Sequence, residues 1–141
     1  MRYSLLHGVA ADKRVSEPVI AREIFDRLRQ ATANDPEVLT ELCRDYIAEA
    51  RVTMLQLQEA LAHGDAAQFR ERAHYLKGSS MMIGARNLSQ SCATLELMGR
   101  DANLAAAGTE LDNAGAALKE VETTLSLELG PTVLPGEGSA A

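Results

Sequence analysis

The chain has no tryptophan, two phenylalanines, three tyrosines, two cysteines and four prolines. So few aromatic and β-branched residues leave little from which to build sheets, whereas the abundant Ala, Leu, Glu, Arg and Gln keep most of their rotamer freedom in a helix. No apolar run approaches the roughly 18 residues of a membrane span, and the N-terminal region carries charges throughout instead of a signal-peptide core. A soluble, cytoplasmic protein is expected. A basic surplus is missing too. The net charge of -6 gives no electrostatic footprint for nucleic acid and favours proteins, or small anions held by a local basic spot, as partners. Cys43 and Cys92 fit no metal-ligand spacing and fall on apolar helical stripes, so buried thiols are expected.

What the chain does contain is helical periodicity over most of its 141 residues, a length suited to one domain. Residues 1–16 lack a sustained period and are expected to be a flexible N-terminal segment; Pro and Gly in "LGPTVLPGEGSAA" predict a disordered tail over 129–141. Between them, the spacing predicts a short helix over 17–31, with Pro18 at its N-terminal end and Ile20, Ile24 and Leu28 as its stripe. Asp35 and Pro36 open a second helix that runs to Ala62 or His63 and is ended by Gly64. His63 there suits the helix dipole, while His7 has no comparable company. Asp65 caps the third helix, with Gln68 in capping-box position and Phe69, Ala73, Leu76, Ser80 and Ile83 on one buried band. Gly84 breaks it. A fourth helix over 86–99 carries Leu88, Cys92 and Leu95 and is closed by Gly99. The last, over 102–128, has Leu104, Gly108, Leu111, Gly115, Leu118 and Leu125 on one face, with Glu122 as a misfit and small residues suited to close helix approach. The economical fold is all-α: an antiparallel four-helix bundle over 17–128 with an additional short N-terminal helix at one end or edge.

Within the third helix, "AHYLKGSSMMIG" holds two glycines, two serines, a histidine and a lysine. On a helical wheel, His74 lies about 140° from the centre of the buried band, on the solvent side. Gly78, one turn later, lies about 180° away, Lys77 near about 80°, Arg70 near about 100° and Met81 near about 120°. Each internal Gly costs about 1 kcal/mol relative to Ala, so Gly78 reads as room kept for something to approach. Neutral imidazole is a nucleophile near pH 7 and can attack a phosphoryl group presented by another protein. Lys77 and Arg70 would offset phosphoryl charge. Outward Met81 and Met82 would form a yielding apolar docking surface. Ser79 and Ser80 read as small packing residues, and Val52 and Leu55, off their helix's stripe, as residues covered by the first helix.

The run H-Y-L-K-G-S-S-M-M-I-G-A, followed by Cys92 and E-L-M-G-R, resembles the histidine-containing phosphotransfer (HPt) domain of multistep two-component phosphorelays over roughly residues 35–128. The resemblance implies a four-helix bundle whose exposed histidine accepts a phosphoryl group from a receiver-domain aspartate and passes it to another. By position, His74 matches the phosphorylated histidine, Lys77 and Gly78 its helical neighbours, and Ser79 and Ser80 the small pair beside them. Glu96 falls where members carry Gln or Glu able to orient the imidazole, and Arg100 matches a basic residue at the rim. The partners implied are receiver domains and hybrid histidine kinases, with the chain acting as a monomer. The chain itself would bind no cofactor; the metal ion is expected on the receiver.

No glycine-rich nucleotide loop marks an autokinase, and no strands ending in acidic residues mark a receiver. The alternative is an adaptor that binds receiver or kinase domains through the same face without being phosphorylated; an intact His74 and Lys77 argue against it. Metal binding fits poorly, because His74 has no second ligand at i+4 and Lys77 would repel a cation.

Overall fold

A computed structural model describes residues 18–136. The expected flexible segment over 1–16, with His7, lies outside the described residues, as do residue 17 and residues 137–141. The described elements are α1 (Arg22–Ala31), α2 (Pro36–His63), α3 (Ala66–Ile83), α4 (Arg86–Arg100) and α5 (Ala107–Leu129), with 3-10 turns at Leu104–Ala106 and Pro131–Val133. Among the described residues there is no strand, and no helix is long and apolar enough to cross a membrane.

The long helices start and stop where side-chain chemistry satisfies free backbone groups. Asp35 Oδ1 accepts from the Glu37 amide at 3.0 Å, and Asp65 Oδ1 from the Gln68 amide at 3.1 Å. Gln68 does not complete a capping box, because the Asp65 N–H already donates to Ala60 O at 2.9 Å. Gly64 and Gly84 end α2 and α3 in the left-handed region, at φ of 67° and 87°.

Packing runs around a ring in which α2 meets α3, α3 meets α4, α4 meets α5 and α5 returns to α2. The pairings are antiparallel. Tyr46 and Gln56 on α2 bond Ser80 and Arg72 on α3, so the numbers rise on one helix as they fall on the other. The buried band of α3 comprises the five residues its periodicity marks, Phe69, Ala73, Leu76, Ser80 and Ile83. Ile47 and Leu57 of α2, Leu88 and Leu95 of α4 and Val121 and Leu125 of α5 complete the middle of the core. Inside it, the Tyr46 and Ser80 hydroxyls lie 2.7 Å apart and satisfy each other. Burial pushes the Cys43 thiol up to about 11 and the Cys92 thiol up to about 12, which leaves both as inert packing groups. Glu122 is no longer a misfit: Arg51 Nε and Nη2 each reach one of its carboxylate oxygens at 3.0 Å.

Other expectations also need correction. The first helix starts at Arg22, not 17, because Ala21 is extended and its N–H donates to Gly84 O at 2.9 Å; Pro18 precedes the helix and Phe25 is its buried anchor. Val52 and Leu55 are 53% and 63% exposed. The ties of α1 run instead to one end of the bundle, through Glu23 to Arg86 and through Arg22 and Arg29 to Glu128. The last helix begins at Ala107 after a 3-10 turn, and a Cβ on Gly108 would meet nothing, so that position makes no close approach. Finally, the tail does not start at 129. Val133 is fully buried, Thr132 O accepts from Arg44 Nε at 2.8 Å, and Pro135 O accepts from Arg51 Nη1 at 3.0 Å. Prolines end the helix there but do not prevent a strap from packing on α2.

Candidate functional site

His74 projects from the middle of α3 with 67% of its side chain exposed. Its Nδ1 lies 2.9 Å from Oε2 of Glu96 on α4, and the Lys77 Nζ lies 2.7 Å from the other oxygen, Oε1. The hydrogen bond from Lys77, joined by the one from His74, holds the Glu96 carboxyl below the usual carboxylate range despite some desolvation. Glu96 is therefore ionised near neutral pH and can only accept. The neutral ring must then carry its proton on Nδ1, where it donates to Glu96 Oε2. That leaves the Nε2 lone pair free on the exposed ring, as a nucleophile requires.

The surroundings of the ring are open. A Cβ added to Gly78 would meet nothing within 4 Å. No contact among the described residues requires glycine there. Arg70, one turn before His74, lines a shallow concavity with Ala67, Glu71, His74 and Glu96. Ser79 is not at the ring: it is half-buried and donates to its own helix at Leu76 O, 3.2 Å away. Arg100 is also turned elsewhere, with Nε 3.4 Å from Asp101 Oδ1. A helical wheel separates Ser79 from His74 by about 140°, which accounts for the first. The second follows from an acidic neighbour that competes for an exposed guanidinium.

The sequence profile of the Hpt domain matches residues 41–127. The chain belongs to the Hpt domain family. As a group, these domains serve histidine phosphotransfer in phosphorelays. This Hpt domain is 28% identical over 82 residues to multistep phosphorelay regulator 1 of Schizosaccharomyces pombe; the match takes in 57% of the chain but 28% of that protein's length. Its fold is similar to that of histidine-containing phosphotransfer protein B (HptB) from Pseudomonas aeruginosa PAO1, with a TM-score of 0.75, 24% identity, and coverage of 80% of this chain and 96% of the other. It is also similar to a rice protein described as a candidate histidine-containing phosphotransfer protein, with a TM-score of 0.71, 16% identity and 94% of each chain covered.

Beside the ring, the Hpt domain carries a mostly apolar groove lined by Ile24, Lys77, Met81, Gly84, Ser89 and Ala93. Met81 and Met82 are 57% and 51% exposed. Lys77 belongs to both features, so groove and imidazole form one continuous face. The periodicity of α1 assigned Ile24 only to packing. Its place in the groove depends on how α1 docks against the end of α3, and no local signal in the sequence carries that. Among the described residues, no group of three or more His, Cys, Asp or Glu could hold a metal ion.

Proposed function

We propose that this Hpt domain is a phosphorelay intermediate phosphorylated on His74. The observation that supports it most directly is the Nδ1 contact with ionised Glu96 at 2.9 Å, which leaves Nε2 unprotonated and outward. In the forward step Nε2 attacks the phosphorus of an aspartyl phosphate on a receiver domain. The Nε2–P bond forms, the P–O bond to aspartate breaks, and the aspartate leaves as a carboxylate. The ring keeps its Nδ1 proton and becomes cationic, and Glu96 compensates that charge. Attack by a second receiver's aspartate reverses the sequence and regenerates neutral His74. The reaction depends mainly on positioning and electrostatics, which a small rigid bundle supplies.

Lys77 and Arg70 are the cations available to the phosphoryl oxygens, and the receiver supplies the metal ion. The receiver docks on the groove walled by Ile24 and Met81, where Gly78 lets it come down onto the ring. Receiver domains and hybrid histidine kinases are the partners, and a cytoplasmic monomer leaves this face accessible. The domain carries phosphoryl groups and does not draw them from ATP.

The test is to mix the protein with a phosphorylated receiver domain and follow its intact mass at neutral pH, beside His74→Gln. The expected result is a gain of one phosphoryl group that is labile in acid and absent from the variant. Folded protein that binds receivers but gains no mass would replace this reading with the adaptor.

A further inference from the structure

Gly99 does not close α4; Arg100 follows it within the helix, and Gly99 is buried. A Cβ at Gly99 would stand 2.8 Å from Arg70 N, 2.8 Å from Arg70 Cβ and 2.9 Å from Arg70 Cα. Two of these are backbone atoms of α3, which cannot rotate aside. Any side chain at Gly99 therefore forces α3 and α4 apart, whereas Gly108 and Gly78 have open space where their Cβ would be.

The crossing point lies beside the chemistry. His74 is one turn after Arg70 on α3, and Glu96 is one turn before Gly99 on α4. The two helices run antiparallel, so the Gly99–Arg70 contact and the Glu96–His74 hydrogen bond are successive rungs of one seam. At 2.9 Å that bond is near its best length, and N–H···O bonds weaken beyond about 3.2 Å. A few tenths of an ångström added at Gly99 are passed to Glu96 through rigid helix backbone. We propose that Gly99 is a positioning residue: by letting α4 rest on the Arg70 backbone, it sets the reach of Glu96 and so fixes the His74 proton on Nδ1. This rests on the reading of His74 as the nucleophile.

A purely structural glycine would alter stability and leave the ring unchanged, so the imidazole tautomer is the discriminating readout. Protein labelled with 15N at histidine would be compared at neutral pH as wild type, Gly99→Ala, Glu96→Asp and Gly108→Ala, with His74→Gln to assign the signals. The wild type and Gly108→Ala are expected to hold the His74 proton on Nδ1. Gly99→Ala and Glu96→Asp are expected to shift toward the Nε2–H tautomer that free histidine favours, and to slow phosphoryl uptake from phosphoramidate about 10- to 100-fold. A folded Gly99→Ala with the wild-type tautomer would overturn the proposal. So would a Gly99→Ala chain without a cooperative helical melt, which would make Gly99 a requirement of the fold, or an unchanged tautomer in Glu96→Asp. Wild type that shows the Nδ1–H tautomer yet takes up no phosphoryl group would overturn the phosphorelay function and leave the role of Gly99 in ring geometry standing.

Discussion

In the unphosphorylated protein the Lys77 ammonium is paired with Glu96, 2.7 Å from Oε1, and not directed at open solvent. Its charge is already committed to that carboxylate. If His74 is the phosphorylated residue, Lys77 has two duties in sequence, to hold the Glu96 carboxylate in place and then to meet the phosphoryl oxygens. Arg70, in the concavity beside His74, makes no comparable pair among the described residues. Lys77→Ala with Arg70→Ala is expected to shorten the phosphorylated-state lifetime or slow transfer by about tenfold or more, and Lys77→Ala alone to raise the Glu96 pKa toward its ordinary value. Phosphorylated-state decay and carboxylate titration by NMR measure the two effects, and equal decay in the double variant would contradict the assignment.

Gly78 offers a case where stability and function separate. A Cβ there meets nothing within 4 Å among the described residues and the position is exposed, so Gly78→Gln should stabilise α3 by up to about 1 kcal/mol through helix propensity. Under the proposed function, the same side chain stands where the receiver would come down onto the ring. Thermal melting should move up, transfer from a receiver should fall, and uptake from phosphoramidate should hold. A parallel loss with the small donor would place the effect at the ring itself.

Met81 is half-exposed in the groove beside Lys77. Met81→Glu puts a charge in that mostly apolar groove, the proposed docking face, and should raise the receiver concentration needed for half-maximal transfer while leaving the melt unchanged. Unaltered transfer kinetics would remove the groove from the docking surface.

Acid should weaken the bundle through particular carboxylates. Hydrogen bonds from Lys77 and His74 hold Glu96 below its ordinary 4.5, and those from Arg22 hold Glu128 below it as well. A depressed folded-state pKa means that the stabilisation is fully present above the unfolded value and is lost as pH falls through the folded one. Urea midpoints should therefore be flat from neutrality down to about pH 5 and decline below the ordinary carboxylate range. Glu96→Gln with Glu128→Gln should flatten that decline, and a slope identical to wild type would assign it to other groups.

Arg51 grips Glu122 through two bonds at 3.0 Å and holds Pro135 O as well. Arg51→Ala leaves Glu122 largely covered and without that partner, at a cost of about 1–3 kcal/mol. A urea midpoint within error of wild type would show that water replaces the guanidinium there.

The sequence made the interior of the long helices legible because one periodicity decides burial along a helix, and the caps legible because Asp35, Asp65, Gly64 and Gly84 act on their own backbone. The placement of His74 on the solvent side has the same local origin. What the sequence hid depends on neighbours distant in the chain. Phe25 is buried and Val52 exposed, and Ala21, at the start of the first helix, is tied to Gly84 at the end of α3. Gly99 looks like a terminator until α3 is laid against it. Ser79 and Arg100 matched a motif by position, yet their polar groups are taken by Leu76 O and Asp101. The strap at 131–135 was hidden by its prolines, which forbid a helix but say nothing against docking.

The Tyr46 and Ser80 hydroxyls, 2.7 Å apart inside the core, have each other as partners, and both residues are buried. Sliding α3 along α2 by a turn would still bury apolar surface against apolar surface, so hydrophobic packing alone distinguishes such settings poorly. The slide would leave two hydroxyls unpaired in a low dielectric, about 1–3 kcal/mol for each. The pair therefore works as an axial detent: it favours one height of α3 over the next. His74 lies six residues away on that rigid rod, so a contact buried in the core helps to set the height at which the exposed imidazole stands.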